Sequence, residues 1–254
     1  MAYTVIITRP KGPYAGDEGL SKRLVAEGFS PLHLSALSVE ARELSEREGE
    51  EIRSRVLAPN SWVAFLSPTA VHVMRDVCAK IECNLASSSV RIAAQGPGTS
   101  EAVRNVFHRE VDLESSTSTA EVFAEQLALR LGGVGTVLVP QSAEGRDVFG
   151  SILRGTGVDV QCIATYGLVT VAPTAEEIAA VRACPADDTL IVFMSPSAVR
   201  ATVETFPDPE HLKCLRAISV GPTTSKAMRE AGLKVFAEAK EHTEGGVVAC
   251  LKAV

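Results

Sequence analysis

Two blocks of this chain occur twice, in the same order and about half a chain apart. WVAFLSPTAVH, from Trp62 to His72, is echoed by LIVFMSPSAVR, from Leu190 to Arg200; Phe, Ser, Pro, Ala and Val coincide at a constant offset. GPGTSEAV, from Gly96 to Val103, is echoed by GPTTSKAM, from Gly221 to Met228, at almost the same offset. A duplication on this scale points to two similar domains rather than a short-period solenoid. The length of 254 residues agrees, since single hydrophobic cores stop growing at about 250–300 residues.

Each block has the same local grammar. An apolar, β-rich run ends in Ser-Pro and an amphipathic stretch follows. Ser is a good N-cap and Pro suits the first helical position, so Ser67-Pro68 and Ser195-Pro196 read as strand-to-helix junctions. RIAAQ and RAISV read as short strands, each followed by a tight Gly-Pro turn into a helix. Strands alternating with helices argue for an α/β fold with parallel sheets.

The remaining elements follow the same logic. Tyr3–Thr8 and Thr136–Pro140 read as strands, followed by helices over Glu18–Glu27 and Arg146–Arg154; Gly28 stops the first of these. Thr119–Leu131 reads as a helix stopped by Gly132-Gly133, and Val158–Ile163 as a strand. Two extended stretches, His33–Ala41 and Ala164–Pro173, each precede an acidic helix, Glu43–Leu57 or Thr174–Arg182. The segment starting at Thr136 resembles the N-terminal segment. Pattern alone leaves two packings open: the N-terminal segment joins the first pair of blocks, or it joins the second pair across the chain.

Composition narrows the function. Apolar residues are 46% and charged residues 22%, ordinary for a soluble globular protein. The longest apolar runs, WVAFL and TLIVFM, fall far short of the ~18 residues of a membrane helix, and MAYTVIITRP enters a strand at once rather than forming a signal peptide. The net charge of −6 with scattered Lys and Arg argues against a nucleic-acid partner. Six cysteines form no CxxC pair and five histidines form no HExxH or HxxxH pair, so reduced thiols in a cytoplasmic protein without a metal site are the expectation.

ITRP, FLSPTAV, QGPGTSEAV, EGRDVF, TYG, FMSPSAV and VGPTTSKAMREAG, in this order, resemble the uroporphyrinogen-III synthase family over nearly the whole chain. The resemblance implies two similar parallel-sheet α/β domains joined by a two-stranded linker, with a cleft between them. One domain comprises 1–34 plus 172–254, the other 41–165, and 35–40 and 166–171 are the linker strands. It implies a cyclising lyase of tetrapyrrole (haem-type) biosynthesis that converts hydroxymethylbilane into uroporphyrinogen III, with the last pyrrole inverted. It implies no metal and no organic cofactor; charge and the short apolar runs already leave no nucleic acid and no membrane partner expected. A cytoplasmic monomer is expected, to which the preceding pathway enzyme hands the substrate. A non-catalytic two-domain small-molecule binding protein is the alternative that the duplicated architecture leaves open.

That substrate carries acetate and propionate groups on every ring, and an acidic protein must bind them with local donors. Helix N-termini beyond the carboxyl ends of the strands supply such donors. The candidates are Ser67, Thr69, Gly96, Thr99, Ser195, Ser197, Thr223 and Thr224, with Arg9 and Arg146 adding charge-assisted bonds. Each Ser also serves as a cap and each Gly as a turn. The departing hydroxyl needs a proton donor, and Tyr166, which matches the family's linker tyrosine, is the candidate. Its phenol, with an ordinary pKa near ~10, is protonated at neutral pH.

Overall fold

The computed structural model describes residues 3–14, 19–117 and 119–254. In chain order the elements are β1 (Thr4–Thr8), α1 (Gly19–Ala26), β2 (Ser30–His33), β3 (Leu37–Ala41), α2 (Glu46–Leu57), β4 (Ser61–Phe65), α3 (Pro68–Lys80), β5 (Arg91–Ala94), α4 (Pro97–Phe107), β6 (Leu113–Glu114) and α5 (Ala120–Leu131). There follow β7 (Thr136–Ser142), α6 (Val148–Gly155), β8 (Asp159–Thr170), α7 (Ala175–Arg182), β9 (Thr189–Phe193), α8 (Pro196–Thr205), α9 (Pro209–Cys214), β10 (Arg216–Ser219), α10 (Pro222–Glu230), β11 (Val235–Glu238) and α11 (Glu244–Lys252). The first helix begins at Gly19; Glu18 lies outside the described residues.

The chain divides into two compact units, Met1–Val39 with Val169–Val254, and Glu40–Leu168. The discontinuous unit is built on a sheet of order β11-β10-β9-β1-β2, and the continuous one on a sheet of order β3-β8-β7-β4-β5-β6. The chain therefore crosses between units twice, once within β3 and once within β8. The pairings among β1, β2, β9, β10 and β11, and those among β4 to β8, are parallel.

The duplication holds in register. Val63 pairs with Ile92 and Phe65 with Ala94; at the corresponding positions Ile191 pairs with Ala217 and Phe193 with Ser219. On the other side Ser61 and Trp62 pair with Thr136 and Val137, as Thr189 and Leu190 pair with Thr4 and Val5. The β1–α1–β2 segment thus occupies in one unit the place that β7–α6–β8 occupies in the other. The order along the chain differs: this segment comes first in the discontinuous unit and last in the continuous one, whose sheet also carries β3.

Burial explains the sequence pattern. All five residues of β4 and all five of β9 are buried, as expected of central parallel strands covered by helices on both faces. One core gathers Trp62, Phe123, Leu127, Val137, Phe149 and Leu153, with the Phe123 and Phe149 rings 4.8 Å apart. The other gathers Val5, Ile7, Leu24, Leu190, Val192 and Ile218. Fully burying one such side chain is worth about 1.5–3 kcal/mol.

The six cysteines are all unpaired: Cys78 is buried, Cys214 exposed and the other four half-buried. No helix among the described residues is long and apolar enough to cross a membrane.

Candidate functional site

The sequence-predicted residues fall on the carboxyl-end rims of the two sheets, one rim in each unit. In the continuous unit, β4 ends at Phe65 and its Ser-Pro junction caps α3. Ser67 sits at φ −156°, ψ 155° with Pro68 at the start of the helix, and its Oγ accepts the Ala70 N–H at 3.2 Å. Thr69 follows, half-buried, with its hydroxyl making no hydrogen bond to the described residues. The neighbouring strand β5 delivers the Gly-Pro junction beside it, through the Gln95 N–H donated to Phe65 O at 2.9 Å. Gly96 caps α4 at φ 82°, ψ 171°. Thr99, only 3% exposed, donates its hydroxyl to Gln95 O at 3.1 Å.

Tyr166 lies on the same rim. The β7–β8 ladder shifts register after Gln141, so that Tyr166 rather than Thr165 stands opposite Ser142. Bulges of this kind re-aim side chains next to functional sites. The Tyr166 hydroxyl lies 3.1 Å from Ser67 Oγ. The turn after β7 is fastened to the same strand, the Ala143 N–H donating to Tyr166 O at 2.8 Å. This turn carries Glu144, whose carboxylate accepts from the Ser142 hydroxyl and from the Leu168 N–H at 3.3 Å. Gly167 leaves room for that carboxylate: a Cβ there would lie 3.3 Å from Glu144 Oε1.

These contacts set the charges. Burial pushes the Tyr166 phenol above its ordinary value of 10.0, the Ser67 bond pulls it down, and the Glu144 charge raises it again; the phenol is a neutral donor at physiological pH. Partial burial raises the Glu144 carboxyl, but the Ser142 hydroxyl and two backbone N–H groups outweigh it, so it lies below its ordinary value and is ionised. Arg146 is exposed in the same turn, just ahead of the α6 cap Asp147 rather than inside the helix. Its side chain has no hydrogen-bond or ionic partner among the described residues.

In the discontinuous unit the rim follows β1, β9 and β10. Ser195 repeats the cap, at φ −160°, ψ 157°, with its Oγ accepting the Ala198 N–H at 3.1 Å. Ser197 is half-buried and Thr223 exposed, whereas Thr224 is 1% exposed. Gly221 has extended backbone, φ 169°, and is covered by a ring: a Cβ there would lie 2.7 Å from His242 Cδ2. Arg9 is already engaged, its Nη1 2.8 Å from Glu244 Oε1 with both side chains 29% exposed. Behind this rim the Ser219 and Ser225 hydroxyls lie 2.6 Å apart, and Ser225 also bonds Glu238.

Sequence reasoning missed Glu144, His242, Glu244 and Glu238. Only Glu144 left a signal, because it sits in the EGRDVF turn from which Arg146 alone was drawn. The rim of the continuous unit offers a neutral phenol, a hydroxyl at a helix N-terminus, an ionised carboxylate and a free guanidinium. That set suits donation to a leaving hydroxyl and binding of carboxylates.

The family model described as "Uroporphyrinogen-III synthase HemD" matches residues 18–249. Among solved structures, a uroporphyrinogen-III synthetase from Helicobacter pylori aligns with a TM-score of 0.63 at 19% identity, covering 100% of each chain. A mutant uroporphyrinogen III synthase from the extremely thermophilic bacterium Thermus thermophilus aligns at 0.51 and 17% identity, over 98% of this chain and 96% of that one. Likeness at these identities speaks to the fold, while the family match speaks to the chemistry. No curated protein matches the sequence at a significant level.

Proposed function

The chain belongs to the uroporphyrinogen-III synthase family, and from that premise we propose how its own residues carry the family's reaction. The enzyme is a cyclising lyase: hydroxymethylbilane loses its terminal hydroxyl as water and closes, with its last pyrrole inverted, to uroporphyrinogen III.

The Tyr166 phenol is the proton donor. It protonates the departing hydroxyl, which leaves as water and creates a cationic azafulvene beside the ionised Glu144. Closure of the macrocycle releases a proton from the last ring, and that proton restores the phenol. The departing group is already activated by an electron-rich pyrrole, so acid catalysis is a modest part of the rate. The larger part is holding the chain so that the substituted carbon of the last ring attacks, which is catalysis by positioning.

The substrate's carboxylates are taken by the strand-end rims of the two units. Thr69, Gly96 and Arg146 act from one, and Ser195, Ser197, Gly221, Thr223 and Arg9 from the other, through hydroxyls, backbone N–H groups and the positive ends of helix dipoles; Ser67, whose hydroxyl is engaged with Tyr166, serves the acid instead. Thr99 and Thr224, being almost wholly buried, act by shaping the first turns of α4 and α10. The unpaired Arg146 supports an anion at that turn. Arg9 reaches the substrate by exchanging Glu244 for a carboxylate. A cytoplasmic monomer that receives its substrate directly from the preceding enzyme completes the reading; the six unpaired thiols support a reducing compartment.

One observation carries the assignment of the acid, the 3.1 Å contact between the Tyr166 hydroxyl and Ser67 Oγ at a helix N-terminus. Tyr166→Phe tests it. A positioned acid contributes about 10²–10⁴-fold, and here the expected loss is about 10²-fold in kcat, with stability changed by no more than about 1 kcal/mol. Hydroxymethylbilane closes spontaneously to the type I isomer, so the product ratio should shift toward type I. In the unaltered enzyme the donor form is lost only as pH rises through the Tyr166 pKa, above 10.0. Full turnover with an unchanged isomer ratio in Tyr166→Phe would remove the phenol from the chemistry.

A further inference from the structure

We propose that Ser67 is a positioning residue for this reaction: its hydroxyl donates to the Tyr166 phenolic oxygen and so turns the Tyr166 O–H outward, toward the departing hydroxyl of the substrate. The inference rests on Tyr166 being the acid. It goes further by giving the cap of α3 a second task.

Three observations carry it. First, the Ser67 oxygen is already an acceptor, for the Ala70 N–H at 3.2 Å. That bond strengthens the Ser67 O–H as a donor, because linked hydrogen bonds polarise one another. Second, the contact with the phenol is short in space, 3.1 Å, between residues 99 apart in sequence. The bulge opposite Ser142 brings Tyr166 into the place opposite that residue. Third, the duplication supplies an internal control. Ser195 has the same backbone geometry and the same cap bond, to Ala198 N, but no tyrosine bonds to it among the described residues. Capping therefore requires only the serine, and the phenol is an addition peculiar to one copy.

The arrangement has a chemical consequence. As the proton leaves, negative charge grows on the phenolic oxygen. A Ser67 O–H aimed at that oxygen strengthens as the charge develops, and the N-terminal dipole of α3 acts in the same sense. The charged group that acts on Tyr166 is Glu144, which opposes ionisation. Arg42, just after β3, donates to the Ala164 carbonyl on β8 at 2.7 Å and is paired with Glu48. Ser67 is thus the group on this rim that favours release of the proton, and Glu144 the group that keeps it bound until substrate arrives.

The experiment is a double-mutant cycle read by kinetics and by NMR. Ser67→Ala should lower kcat about tenfold, the worth of one well-placed hydrogen bond, with a smaller change in KM, and Ser67→Thr should restore most of it. In a Tyr166→Phe background the same Ser67→Ala change should cost nothing further in kcat, because the partner is gone. The chain has three tyrosines, so 13Cζ labelling gives three resonances; that of Tyr166 should titrate at higher pH in Ser67→Ala and be unmoved in Ser195→Ala. If Ser67→Ala lowers kcat equally in both backgrounds, or leaves the Tyr166 titration where it was, Ser67 is only a cap and the proposal falls. If Tyr166→Phe alone retains full activity, the failure belongs to the acid assignment instead.

Discussion

The two Gly-Pro junctions look alike in sequence and are glycine for different reasons. Gly96 sits at φ 82°, ψ 171°, a region essentially reserved for glycine, and a Cβ there would meet nothing within 4 Å. Gly221 has extended backbone that any residue adopts, but a Cβ would press on the His242 ring, with Cδ2 at 2.7 Å and Nε2 at 3.0 Å. The Ser-Pro junctions show the converse. Ser67 and Ser195 share the same cap bond and backbone angles that agree to within a few degrees, yet only Ser67 meets a phenol among the described residues. The duplication has preserved the strand-to-helix joints. What surrounds each joint has diverged, and the chemistry lies in those surroundings.

The sharpest way to break this comparison is the pair Gly96→Ala and Gly221→Ala. The first forces an L side chain into a strained conformation, so it should destabilise by about 1–3 kcal/mol with no steric relief available. The second meets only a ring on an exposed loop, which can swing aside, so it should cost well under that or even stabilise slightly through the unfolded state. Chemical denaturation of both variants decides the matter. A larger loss for Gly221→Ala would mean that the His242 ring is held rigidly and that the two glycines have been ranked wrongly.

A smaller effect tests the shared half of the comparison. Ser67→Ala and Ser195→Ala each remove one cap acceptor at matched geometry, so each should cost about 1 kcal/mol. Any excess at Ser67 measures the phenol bond, and it should disappear when Tyr166 is already Phe. A loss at one cap several times that at the other, persisting without the phenol, would show that the two joints are not equivalent.

How much of this was visible in the sequence depends on the range of each interaction. The Ser-Pro and Gly-Pro joints were legible because caps and turns are local. The β-rich runs VAFL and IVFM were legible because central parallel strands are buried on both faces. The long strand β8 was not: Val158–Ile163 read as a strand and Ala164–Pro173 as a separate extended stretch, whereas one strand runs from Asp159 to Thr170. Gly167 lies inside it, where the missing Cβ accommodates the Glu144 carboxylate. The short helix Pro209–Cys214, capped by Asp208, carried too little periodicity to be seen. Tyr166 was marked only by its family resemblance, because nothing local announces a partner 99 residues away. Arg9 was read as a ligand contact from its place at a strand end, and nothing near it in sequence signals Glu244 on the last helix.

The two acidic helices that follow the crossing strands offer the finest comparison. Both start with a capping box, Ser45 with Glu48 in α2 and Thr174 with Glu177 in α7, but the charges that reinforce them differ. Glu177 lies 3.7 Å from Lys11 Nζ, a cation from the N-terminal segment. Glu48 accepts from the Ser45 N–H and hydroxyl at 2.9 and 2.8 Å and pairs with Arg42. The two Ser45 bonds, then Arg42, pull the Glu48 carboxyl from 4.5 down to about 2. A carboxyl depressed on folding contributes stability that is fully present above its unfolded value and is lost as pH falls through its folded value. The window is therefore about pH 4.5 to 2. The Glu48 side chain is 32% exposed, so solvent screening keeps the contribution below about 1 kcal/mol. The variant Glu48→Gln should be slightly less stable than the parent at neutral pH, and the gap should close as pH falls through that window. Urea midpoints at neutral and acidic pH, with 13C titration of the Glu48 carboxyl, provide the check. A gap independent of pH would show that the box acts through hydrogen-bond geometry alone, with Arg42 contributing nothing measurable.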